Sequence, residues 1–244
     1  PMMEEVFKGR GVPRELTRIP FVESGFVVRA LSGVFAAGIW QFIPSTAREY
    51  LTINEVIDER SDPLLSTHAA AGLLTDNFKA LGSWPLAVTA YNHGRKGMMH
   101  AIRQVGTKDF TTIVKSYKSP TFGFASRNYF SQLLASIEVA RNAENYFGNL
   151  RIKPPLRIVA VPLPDFIALG HLLRFVKVRK SVFRALNPSL RSSVLTGRRR
   201  IPARYPVRLP ADWGRDRGGA ESAFRLAYQE IPSRYKHAKQ RGKP

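Results

Sequence analysis

Apolar residues recur at spacings of three and four over most of the first 148 positions, which is the period of amphipathic helices. Pro13 suits a first helical turn, and Leu16, Ile19 and Val22 carry that helix to about Ser24, with Pro20 inside it as a kink. Asp62-Pro63 starts a second helix and Gly82 stops it, with Leu65, Ala69, Gly72, Leu73 and Phe78 as its apolar stripe. Ser83 opens a third, from Trp84 to about Asn92, which ends at Gly94. Lys96 to Val105, closed by Gly106, predicts a short fourth. The longest runs from Ser126 to Tyr146, with Leu133, Leu134, Ile137 and Ala140 on its buried side and Gly148 as its stop.

The pattern changes at Leu150-Arg151-Ile152-Lys153-Pro154-Pro155, where two prolines end any helix and offer a stiff linker. Leu156 to Val161 reads as a strand, Asp165 caps a helix to Phe175, Arg179 to Leu186 forms another, and Tyr205 to Pro210 closes as an edge strand. Beyond Ala211 the chain is charged and weakly patterned, with one helix predicted from Glu221 to Gln229. The fold class is therefore mainly α. An all-helical domain covers residues 1–150, a small α+β module of order βααβ covers 151–212, and a basic, weakly ordered tail covers 213–244.

Charge sharpens the boundary. The net charge is +20, yet residues 1–150 hold 16 basic against 13 acidic residues, while 151–244 hold 22 against 5. The second half is thus the part drawn to polyanions, such as nucleic acid, anionic envelope polymers or acidic lipid headgroups. No aromatic-interleaved basic motif accompanies the charge, so no specific nucleic acid is expected. The chain lacks cysteine, which removes disulfides, thiolate catalysis and Cys-ligated zinc. Its five histidines form no ligand cluster, and neither metal nor cofactor is predicted. No apolar run reaches the roughly 20 residues a membrane span needs. The first eleven residues do not resemble a signal peptide. A chain opening on Pro1 reads as a processed or truncated fragment, so a missing export signal says little about secretion.

Candidate chemistry centres on Glu23. On a helix, Leu16, Ile19 and Glu23 share one face, so the carboxyl is predicted to be partly desolvated, with a raised pKa suited to a general acid. Downstream come Gly38-Ile39-Trp40-Gln41, Ala90-Tyr91-Asn92-His93-Gly94 and Arg127-Asn128-Tyr129-Phe130. These motifs, with Glu23-Ser24-Gly25-Phe26 and Ile43-Pro44-Ser45-Thr46, resemble in order and spacing the lytic transglycosylases with a goose-type lysozyme-like (SLT) domain, most closely the membrane-bound type D branch. The resemblance covers nearly all of the first domain.

It implies a lysozyme-like fold, a bacterial periplasm or cell-envelope setting, and peptidoglycan glycan strands as partner. The reaction implied is cleavage of the β-1,4 bond between N-acetylmuramic acid and N-acetylglucosamine, leaving a 1,6-anhydromuramic end. Ordinary glycosidases use two carboxylates. Here no second motif carboxylate is evident, since Asp58, Glu59 and Asp62 read as solvated loop charges or caps and Glu15 stands on another helix face, and the reaction the resemblance implies uses Glu23 as the single general acid/base. By the same resemblance Ser32 and Gln41 hydrogen-bond the sugar or its acetamido group, Tyr91, Asn92 and Tyr129 shape the pocket, and Gly38 allows a tight turn close to the ligand. Ser24 is read as ligand contact or structural hydroxyl, Trp40 as sugar platform or core aromatic, and His93 as cleft residue or helix-end surface residue.

Two departures stand out. Val27-Val28 replace the usual Asn/Asp-Pro, and Ala125 replaces a common Glu four residues before Tyr129. The 156–210 module resembles a divergent LysM-like fold, which implies binding of N-acetylglucosamine-containing glycan. The alternatives to a lytic transglycosylase are a hydrolytic muramidase and a non-catalytic peptidoglycan-binding protein.

Overall fold

The computed structural model describes residues 2–151 and 154–214, so the predicted helix from Glu221 to Gln229 and most of the basic tail lie outside the described residues. The chain divides into two compact units, Pro1–Leu51 with Pro63–Arg151, and Thr52–Asp62 with everything from Ile152 onward. The segment Thr52–Asp62, expected within the first domain, therefore belongs to the second unit.

The first unit is all-helical in its regular elements. Its helices are α1 (Met2–Lys8), α2 (Ile19–Glu23), α3 (Pro44–Ala47), α4 (Pro63–Leu81), α5 (Trp84–His93), α6 (Arg95–Val105), α7 (Phe110–Ser116), α8 (Phe124–Arg141) and α9 (Ala143–Phe147). Pro20 does not kink a long helix. A 3-10 turn at Arg14–Arg18 hands over to α2, and Pro20 sits in the first turn of α2, where its missing N–H is not needed. Helices α1 and α7, of seven residues each, were not predicted from the apolar periodicity. The local sign of α7 is its cap, with Asp109 Oδ1 accepting from the Thr112 amide at 2.7 Å. The long terminal helix breaks at Asn142, and Leu134 faces solvent while Tyr129 and Leu133 are buried.

Helix α4 packs on α5 and α1, and α5 packs in turn on α8, which also meets α2. Between α2 and α3 the chain is loop, pinned by isolated bridges Leu31 to Ala37 and Ala37 to Phe42. Trp40 anchors this loop in the core: it is 0% exposed, stacks on Phe7 at 5.6 Å, and donates from Nε1 to Thr67 Oγ1 of α4 at 2.9 Å. Loss of the indole's hydrogen bond on burial would be costly, and Thr67 removes that cost.

In the second unit β1 (Ile158–Pro162) pairs antiparallel with β2 (Pro206–Pro210), and α10 (Leu169–Val176), α11 (Lys180–Leu186) and α12 (Ser192–Leu195) lie between them in sequence. The mainly α class with a small strand-and-helix module thus stands, with α12 added to the expected order. Ile167, Phe183, Val194, Ile201, Val207 and Leu209 form the wholly buried part of its core. Asp165 does not cap α10, which starts four residues later; its Oδ1 accepts from the Phe166 amide at 2.7 Å. Buried Asn187 ties α11 to β2, giving its NH2 to Phe183 and Arg208 carbonyls at 2.9 and 2.8 Å and accepting the Arg208 amide at 2.9 Å.

Thr52–Asp62 is built into this module. The Asp58 amide donates to the Ser189 carbonyl at 2.8 Å, and the Arg191 amide to the Val56 carbonyl at 3.0 Å. The Asp58 carboxylate takes Arg60 at 2.8 Å and Arg191 at 3.1 Å, and Asp62, 1% exposed, pairs with Arg208. Burial alone would raise the Asp58 pKa, but Arg60 and Arg191 outweigh it and hold the carboxyl below its ordinary value. The solvated-charge reading is corrected for Asp58 and Asp62, since paired arginines make their burial tolerable, while the cap reading holds for Asp58, whose Oδ1 accepts from the Arg60 amide at 3.3 Å at the start of a 3-10 turn. Among the described residues no helix is long and apolar enough to cross a membrane.

Candidate active site

Glu23 is the last residue of α2, and the turn after it sets its direction. Gly25 and Phe26 both take positive φ, 57° and 61°, while the Ser24 and Phe26 amides return to the Pro20 carbonyl at 3.0 and 3.3 Å. The chain then reverses, so the Gly38 to Gln41 turn lies beside the acid's helix. The Ser24 hydroxyl fastens the two by donating to the Ile39 carbonyl at 2.8 Å. Gly38, φ 78°, supplies the left-handed residue this turn needs.

An open groove of about 560 Å³ runs past this point, and Glu23, Ser32, Gln41, Tyr91, Asn92 and His93 are among its lining residues. Glu23 is the one carboxylate among the described lining residues. Burial raises its pKa to about 7, against the smaller opposing effect of the Tyr129 hydroxyl, which donates to Oε1. Tyr129 lies beneath the acid: its buried ring stacks on Tyr91 at 6.5 Å with 8° between the planes. The Tyr91 hydroxyl donates to the Trp40 carbonyl at 2.8 Å. Burial first, and the charge on Glu23 second, keep both phenols well above their ordinary pKa, so they are donors rather than bases.

The neutral groups around the acid carry defined polarity. Gln41 gives its NH2 to the Gly38 carbonyl at 2.8 Å and more weakly to Ala30 at 3.5 Å, leaving its own carbonyl oxygen as the group available to a ligand. Ser32 Oγ accepts the Ala36 amide at 3.0 Å, which leaves its O–H to donate. Asn92 Oδ1 accepts from Ser126 at 2.8 Å. His93 lines the far end with its ring edge-on to Phe122 at 4.9 Å and to Tyr117 at 6.1 Å. Its Nε2 has no hydrogen-bond partner, and burial lowers its pKa despite the Thr121 backbone, so it is a neutral wedge.

The fold thus brings Glu23, Ser32, Gln41, Tyr91 and Asn92 to one groove, with Tyr129 behind the acid. Trp40 is excluded as a sugar platform because it has no exposed surface, and Ser24 and Gly38 shape the turn rather than line the groove. Ser126, Val34, Thr46 and Leu73 were missed. For Ser126 a signal existed, since it stands at i−3 from Tyr129 and so shares the buried face of α8. A half-buried carboxyl with a pKa near 7 exists in both forms near neutral pH, and one such group is able to give up a proton and take one back.

Residues 4–114 match the family model described as Transglycosylase SLT domain, and over that segment the chain is similar to this family. Over 191 residues, 77% of this chain and 42% of the relative, it is 32% identical to the membrane-bound lytic murein transglycosylase D of Escherichia coli K12. It is also 34% identical over 101 residues, 41% of this chain and 49% of the relative, to a putative tributyltin chloride resistance protein of Alteromonas sp. strain M-1. Both relatives are thus spanned over less than half their length. Among solved structures, an inactive mutant of the lytic transglycosylase Slt from Pseudomonas aeruginosa aligns with a TM-score of 0.48 at 21% identity, over 59% of this chain and 24% of that one.

Proposed function

We propose that this chain is a peptidoglycan lytic transglycosylase of the bacterial envelope, cleaving the bond between N-acetylmuramic acid and N-acetylglucosamine with Glu23 as the sole general acid and base. One observation carries the reading: a single carboxyl with a pKa of about 7, backed by a tyrosine donor, in a groove whose other described lining residues bear no carboxylate. Protonated Glu23 gives its proton to the leaving glycosidic oxygen. As carboxylate it then takes the proton of the muramic C6 hydroxyl while that oxygen closes on C1, so no water is consumed. Ring closure within the bound sugar replaces the second carboxylate through effective molarity. Ser32 as donor and Gln41 as acceptor hold the sugar and its acetamido group. The names of the SLT family and of the E. coli relative support this reading.

The second unit would hold the glycan strand in the manner of a LysM module, and its basic excess would add attraction to anionic envelope polymers. Digestion of purified sacculi with mass analysis of the released muropeptides tests the reaction. Anhydro ends from the native chain, absent with Glu23→Gln, are expected. Reducing muramic ends would instead identify a hydrolytic muramidase, and binding without release a non-catalytic wall-binding protein.

A further inference from the structure

Ser126 is only 6% exposed and stands in the first turn of α8, where the carbonyl four residues earlier, that of Phe122, lies ahead of the Gly123 cap and outside the helix. A buried hydroxyl proton without an acceptor is costly, and Ser126 donates across to Asn92 Oδ1 at 2.8 Å.

This settles which end of the Asn92 carboxamide meets the groove. A carboxamide offers two donors on one side and an acceptor on the other, and rotating it by half a turn exchanges them. With Oδ1 held by Ser126, the NH2 is the side left for a ligand, and it has no acceptor among the described residues. Gln41 is set the opposite way, its NH2 engaged by backbone and its carbonyl available. The groove thus presents one amide as donor and one as acceptor.

We infer that Ser126 is a positioning residue: through Asn92 it fixes a hydrogen-bond donor in the groove for a carbonyl or ether oxygen of the bound amino-sugar chain. This rests on the proposed glycan-cleaving role for the class of ligand, though the polarity of Asn92 follows from the protein's own contacts.

The test uses the full chain in two assays, turnover of sacculi and calorimetric binding of a soluble N-acetylglucosamine oligomer in a Glu23→Gln background. Ser126→Ala is expected to raise KM and weaken oligomer binding roughly five- to tenfold, the effect of one hydrogen bond, with a smaller change in kcat. Ser126→Thr, which keeps the hydroxyl, restores binding to within about twofold. In an Asn92→Ala background Ser126→Ala should add nothing further. The pH profile of turnover should not move, because Ser126 does not touch Glu23. Unchanged binding in Ser126→Ala, full additivity with Asn92→Ala, or failure of threonine to rescue overturns the inference. Oligomer binding with the expected Ser126 effect but no cleavage of sacculi would sink the proposed reaction alone.

Discussion

The hydroxyl of Tyr129 donates to Oε1 of Glu23 across 106 residues of sequence, and the two form a single proton-holding unit. Burial drives the carboxyl toward its neutral form, and Tyr129, by hydrogen-bonding the anion, draws it partway back. The balance leaves it near 7, where one group can serve as acid and then as base.

Removing the phenol should therefore move the pKa upward. In Tyr129→Phe the alkaline limb of the turnover profile is expected at higher pH than in the native chain, with kcat lower by roughly tenfold or more because the carboxyl loses its orienting partner. A limb that stays in place or moves down would contradict the role given to this hydrogen bond.

Glu23 should also cost the fold stability, with a definite sign. Its folded pKa of about 7 lies above the ordinary 4.5, so the native state keeps a proton that the unfolded chain gives up. Stability then falls as pH rises from about 4.5 to about 7, and the cost is complete above that window. Thermal unfolding of Glu23→Gln is expected to show a Tm above the native one at pH 8 and equal to it at pH 4. A Tm difference that does not depend on pH would point to packing instead.

His93 and Gly97 form an interlocked pair. A Cβ built on Gly97 would lie 2.5 Å from His93 Nε2 and 2.6 Å from its Cδ2, and Phe122 and Tyr117 leave the ring little room to withdraw. Gly97→Ala is expected to destabilise by about 1–3 kcal/mol, the usual cost of overpacking. In a His93→Ala background the same change should be neutral or stabilising by up to about 1 kcal/mol, since alanine is the better helix former. Denaturant unfolding of the four proteins in this cycle checks it.

Asp62 pairs with Arg208 inside the second unit, so Asp62→Asn should leave a guanidinium that is only 12% exposed without this counter-charge. A loss of about 3–5 kcal/mol is expected, followed through the fluorescence of Trp213, whose indole donates to the Val176 carbonyl at 2.7 Å in the same unit. A loss below about 1 kcal/mol would place this pair with ordinary surface ion pairs.

Much of the helical framework was legible because its signals are local. Pro63, Gly82, Gly94 and Gly106 stand at or beside the ends of α4, α5 and α6, and the three-four period filled the stretches between them. The short helices α1, α7 and α12 gave no period clear enough to predict them, although α11, also of seven residues, was predicted. The motif residues were also legible as a set, but not their division of labour: Trp40 proved to be core, while Ser126 went unmarked.

By itself the sequence determined where α4, α5 and α6 start and stop, where the chain changes character near residue 151, and which carboxyl stands among neutral polar groups. Only the tertiary structure decided that Tyr129 meets Glu23, that Asn92 turns its NH2 to the groove, and that Thr52–Asp62 joins the second unit. The reason is physical. Caps and periodicity act within a few residues, whereas desolvation, amide orientation and burial of an ion pair depend on which distant groups the folded chain sets side by side.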